Sequence, residues 1–124
     1  MPNSADLLIS KCNDLALAMI EGTERPYEVA LRFTTTGADA IQAGWEFGEP
    51  LYLMWAWMTD WVDAPVSHGG LGEADGEEQA SPVMIRAARE WLVASADEST
   101  LQAYFDRWIR DIRGDVLVNR NGSE

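Results

Sequence analysis

Apolar residues along this chain recur at spacings of three and four, the period of amphipathic helices rather than of strands. Leu8, Cys12, Leu15, Ala16 and Met19 make the first such stripe. Asn3 or Ser4 is placed to cap that helix, Asp6 suits its positive end, and Gly22 is a natural stop. Pro26 opens a second, shorter helix with Val29, Ala30 and Phe33 toward the core. Thr34, Thr35 and Thr36 weaken it, and Gly37 is expected to end it. Ala38 to Ala43 then reads as a separate helical turn, followed by an irregular stretch from Gly44 to Gly48.

A third helix is expected from Glu49 and Pro50, with Leu51, Met54, Trp55, Met58 and Val62 on one stripe. Leu53, Trp57 and Trp61 fall beside or outside that stripe, so the helix is apolar over a wide arc. Such a helix is either central in a bundle or buried on one side and partner-facing on the other. Asp63, Ala64 and Pro65 end it. Val66 to Ala80 carries neither period and reads as a mobile loop rich in Gly and acid, with a fourth helix starting at Ser81 and Pro82. Met84, Ala88, Trp91, Leu92 and Ser95 give that helix its buried face, with Arg86 and Arg89 outside it. The fifth helix, from Asp97 or Ser99, has the clearest stripe: Leu101, Tyr104, Phe105, Trp108, Ile109 and Ile112, stopped by Gly114. Val116 to Val118 reads as a short extended piece, and residues 119–124 as a frayed tail. The expectation is an all-α bundle of four to five helices, in one domain spanning residues 1–118.

Composition adds bounds. With 124 residues, 47% of them hydrophobic, the chain can bury a core without staples. A single cysteine, Cys12, excludes an internal disulfide and a paired-cysteine metal site, and fits a reducing compartment. The polar N-terminus has no basic leader, and Leu51 to Met58, the longest apolar stretch, is too short to span a bilayer. A soluble cytoplasmic protein without membrane association is expected. Eight of the nine basic residues are Arg, and Ala, Gly, Asp and Trp are frequent, a coding bias of GC-rich bacterial genomes.

Charge changes the picture most. The net charge is -12, which disfavours direct binding to nucleic acid or anionic membranes and favours basic partners. Between Phe33 and Ile85 there is no Lys or Arg, yet nine acids lie there: Asp39, Glu46, Glu49, Asp60, Asp63, Glu73, Asp75, Glu77 and Glu78. One reading is a solvated acidic face that maintains solubility. The other is a docking surface, because Trp45, Phe47, Trp57 and Trp61 interleave with the acids and aromatic anchors concentrate binding energy. Trp91 and Trp108 fit core stripes, whereas Trp57 does not share the stripe of Trp55 and is the best candidate for an exposed anchor.

Catalytic signals are weak. Cys12 sits on a buried stripe without a nearby His and reads as a structural thiol. His68, the only histidine, lies among Asp63, Glu73 and Asp75 without metal-ligand spacing. Asp75-Gly76-Glu77 lacks the alternation of a calcium loop, and no Gly-rich phosphate loop is present. Asp60 and Asp63 share a helical face, which suits acid–base work if buried and a solvated edge if not. No metal and no cofactor is implied.

Three segments together resemble a known family. Glu21-Gly22 with Pro26-Tyr27-Glu28, Ala30 and Arg32 is similar to the helical opening of small bacterial immunity proteins. Gly48-Glu49-Pro50-Leu51-Tyr52 running into Trp57, Asp60-Trp61 and Asp63-Ala64-Pro65 resembles their central helix. Ile85-Arg86-Ala87-Ala88-Arg89-Glu90 with Leu92 resembles the helix that follows. The pattern is similar to the colicin D immunity type and related polymorphic-toxin immunity proteins, over roughly residues 5–95. The resemblance implies a helical bundle that neutralises a cognate toxin, in that type a tRNA-cleaving nuclease, by placing acids in its basic cleft. Here Glu49, Asp60 and Asp63 would carry this, with Glu73, Asp75, Glu77 and Glu78 as extensions. The charge map adds Glu46, and the aromatic pattern Trp57 and Trp61. Rival readings are a nucleic-acid-mimic antitoxin or phage inhibitor of a host defence protein, a small helical enzyme or ligand-binding protein with a Trp-lined pocket, and an oligomer joined through the central helix.

Overall fold

A computed structural model describes residues 4–63 and 73–113. Among these residues it is all α, with five helices and no strand: α1 Ser4–Glu21, α2 Pro26–Gln42, α3 Gly48–Asp63, α4 Glu73–Ala94 and α5 Glu98–Arg113. Gly22, at φ 76°, ends α1 as its position implies. Asp97 caps α5, its Oδ1 accepting from the Ser99 backbone N–H at 3.0 Å. The pieces at 116–118 and 119–124, like His68, lie outside the described residues.

Two boundaries differ from expectation. Gly37 does not end α2, which continues to Gln42. The threonines are accommodated because Thr34 and Thr35 donate their hydroxyls to the carbonyls of Ala30 and Leu31, one turn back. Gly37 serves packing instead. A Cβ there would lie 2.6 Å from both Cα and N of Tyr52, so its missing side chain lets α3 touch the α2 backbone.

The second difference is α4, which begins at Glu73 rather than at Ser81. The segment 73–80 is therefore helix, not loop, and Pro82 lies inside it. Glu, Gln and Ala favour helix, acids suit a first turn, and Gly76 and Ala80 are buried. Pro82 leaves the Glu78 carbonyl without its helical donor, and both residues face solvent, where water can replace that donor.

The antiparallel α2–α3 hairpin forms one layer. Tyr27 meets Asp63 at one end, Phe33 stacks on Trp55 at 4.3 Å in the middle, and Gly48 meets the Ile41 backbone at the turn. Its inner side packs on α1, α4 and α5. There Trp91 donates its indole N–H to Asn13 Oδ1 at 2.8 Å, and Tyr104 donates its hydroxyl to the Ala87 carbonyl at 2.8 Å. The core holds Met19, Phe33, Met54, Trp55, Met58, Met84, Trp91, Phe105 and Trp108, so most stripe residues point inward as their periodicity requires. No described helix is long and apolar enough to cross a membrane.

Gly37→Ala should destabilise the protein by about 1–3 kcal/mol although alanine is the better helix former, because the methyl collides with backbone. Urea unfolding would measure it, and unchanged or raised stability would refute the close approach.

Candidate protein-binding surface

The buried side of α3 comprises Gly48, Leu51, Met54, Trp55, Met58, Thr59 and Val62. The opposite side carries Glu49, Leu53, Trp57 and Asp60, at the i, i+4, i+8 and i+11 positions of a single stripe. Glu49 and Asp60 are exposed, and Leu53 and Trp57 are half-buried without belonging to the core cluster. At 1.5 Å per residue the stripe runs roughly 16 Å. No other described helix covers it, because α1, α4 and α5 all lie beneath the hairpin. Leu31 and Ile41 of α2 and Tyr52 of α3 are exposed on the same layer and widen its apolar area.

No ion pair among the described residues reaches the acids on and around this face. Among the described residues, ion pairs join Arg25 to Glu28, Arg32 to Glu24, Arg107 to Glu90 and Arg110 to Asp111. None of these involves Asp39, Glu46, Glu49 or Asp60, all of which are exposed. The absence of Lys and Arg from 33 to 85 in sequence is thus matched in space, where no ion pair among the described residues reaches these carboxylates.

The remaining candidates are distributed around this stripe. Asp63, at the last turn of α3, accepts a hydrogen bond from the Tyr27 hydroxyl at 2.7 Å. Glu46 is exposed in the turn before α3, at the other end of the hairpin. Trp61 sits on the flank, packed against the core, with its indole nitrogen buried and unpartnered among the described residues, so it offers a partner less than Trp57 does. Glu78 is exposed on α4. It lies toward the Asp63 end, because the turn that follows α4, at Ser95 and Ala96, lines a cavity of about 380 Å³ with Trp45 and Phe47 of the hairpin turn. Glu73, Asp75 and Glu77 belong to α4, and their side chains lie outside those described. Of the tryptophans that could line a pocket, Trp55 is fully buried and stacked on Phe33.

Leu53 lies off the buried stripe, as its spacing implies, whereas Leu31, Ile41 and Tyr52 are not distinguished by the sequence. Their only signal is a position off the buried stripes, which ordinary solvent-facing helix residues share.

Cys12 is buried, and desolvation pushes its thiol up to about 12 against a slight opposing pull from Lys11. Among the described residues no three His, Cys, Asp or Glu side chains gather as a metal would require. The chain matches no protein-family model, and comparison with curated proteins and with solved structures finds no match.

The thiol makes a pH prediction. The unfolded thiol ionises near 9.0, whereas the folded one holds its proton to about 12. Its contribution is therefore full below the lower value and lost as pH rises, by about 1.4 kcal/mol per unit at most. Burial shifts Tyr104 in the same direction and adds to the loss at higher pH. Urea unfolding at pH 8 and pH 10.5 should show a smaller drop for Cys12→Ala than for the parent. Equal drops would place the thiol in contact with water.

Proposed function

We propose that this protein is an immunity-type inhibitor that blocks a basic cognate toxin, a nuclease, by laying the outer face of the α2–α3 hairpin over the toxin's cationic cleft. One observation supports the reading above the others. Glu49, Leu53, Trp57 and Asp60 form an outward stripe that no described helix covers and no described cation neutralises. Like charges held this way repel one another in the free protein and are relieved by a cationic surface. The apolar residues between them supply what a merely solvated face lacks, since Trp57 is the kind of side chain on which binding energy concentrates.

In this reading the carboxylates steer encounter and Trp57 slows departure. Glu46 and Glu78 extend the negative field toward the two ends of the hairpin, and Asp63 is presented through its bond to Tyr27. The inhibitor works by occupation: an acidic surface takes the place of a nucleic-acid backbone and excludes it.

The test uses the product of the adjacent upstream gene, in binding and nuclease assays with purified components. The parent should form a complex and suppress its nuclease activity. Glu49→Lys with Asp60→Lys should weaken binding at least about 100-fold, mainly through slower association. Trp57→Ala should instead mainly speed dissociation, by about tenfold or more. Circular dichroism of each variant would establish that the bundle persists. Undiminished affinity in both variants would remove this face from the interface, and absence of any complex would remove the inhibitor reading.

A further inference from the structure

Arginines gather in one place on the far side of the bundle, along the seam of α4 and α5. A groove of about 800 Å³ runs between α4 and α5, with Arg89, Arg107 and Arg110 among its lining residues. Val93, one turn beyond Arg89, and Ala103, one turn before Arg107, make it apolar toward the 95–97 turn. Its charges are only partly balanced. Arg107 pairs with Glu90, which also accepts from the Trp108 indole at 2.9 Å, and Arg110 lies 3.8 Å from Asp111. Arg89 has no ion pair among the described residues, and Arg86, beside the groove rather than in its lining, packs 4.9 Å from the Trp108 ring.

We propose that this groove docks an amphipathic helix of a second protein, one whose apolar stripe is flanked by acidic side chains. Charge complementarity selects the occupant, because guanidiniums outnumber carboxylates along the groove and form bidentate pairs with them. Shape selects a polypeptide over a small molecule. Val93 is 76% exposed and the Arg110 side chain 75%, so the floor is shallow and would leave most of a small ligand in water. From Thr100 to Arg110 the groove runs roughly 15 Å, about three helical turns, and two antiparallel helices naturally seat a third along their seam. The overall charge of -12 acts against an acidic partner at long range. At contact, in physiological salt, screening over about 8 Å leaves the local arginines in control. This site is independent of the hairpin face and of its proposed partner.

The probe is a 16-residue synthetic helix with a Leu/Ala stripe flanked by Glu, paired with an isomer in which every Glu is Lys. Both are titrated into the full-length, isotope-labelled protein at 0.15 M salt. The Glu peptide should shift amides of residues 86–94 and 100–111, and Arg89→Glu with Arg110→Glu should weaken it at least tenfold. Glu49→Lys with Asp60→Lys should leave that binding intact. The Lys peptide should leave the α4–α5 amides unmoved, whatever it does at the acidic hairpin. Three results would overturn the proposal: no shift in α4–α5, undiminished affinity in the arginine variant, or vesicles of phosphatidylglycerol and phosphatidylcholine engaging the groove while the Glu peptide does not.

Discussion

The approach of two backbones at Gly37 governs this structure. An ordinary side chain there would strike the Cα and N of Tyr52, so its absence sets how near α3 can lie to α2. The same arrangement recurs at the turn, where Gly48 sits against the Ile41 backbone. Between these points and the Tyr27–Asp63 hydrogen bond the two helices are held along their length, with Phe33 stacked on Trp55. So fixed, the hairpin turns its apolar stripes toward α1, α4 and α5, and its other side necessarily outward.

That division accounts for the electrostatics. Carboxylates on the outer side of α3 have no described cation near enough to pair, whereas Arg107 of α5 pairs with Glu90 of α4 and Arg110 lies beside Asp111. The molecule therefore presents an acidic outer face on α3 and, between α4 and α5, a groove lined by Arg89, Arg107 and Arg110, within a large negative total. Each surface also carries apolar residues between its charges, Leu53 and Trp57 on one and Val93 and Ala103 on the other. Charge with apolar area suits recognition, because charge sets approach and orientation while apolar burial supplies duration.

Much of the fold was legible because helices announce their buried faces. Cys12, Met19, Trp91, Phe105 and Trp108 fell on stripes and are buried. Trp57 fell off its stripe and lies apart from the core cluster. The illegible parts share a cause: tertiary context overruled a local signal. Gly37 reads as a stop in isolation and is a packing contact in the fold, and Pro82 reads as a start because nothing local reveals that Gly76 and Ala80 are buried before it. The arginine groove was hidden for another reason. Along the chain those arginines alternate with acids, and only the pairing of α4 with α5 brings Arg89, Arg107 and Arg110 to one groove.

The outer hairpin face holds exposed carboxylates that no described cation pairs, and their mutual repulsion makes stability depend on salt. Screening relieves repulsion between exposed charges. Thermal unfolding of the free protein should shift to higher temperature between 10 mM and 300 mM sodium chloride, and less so once Glu49→Gln and Asp60→Asn remove charge from the face. A melting temperature that salt leaves unchanged, or lowers, would show that those carboxylates are already neutralised within the protein and would contradict the account.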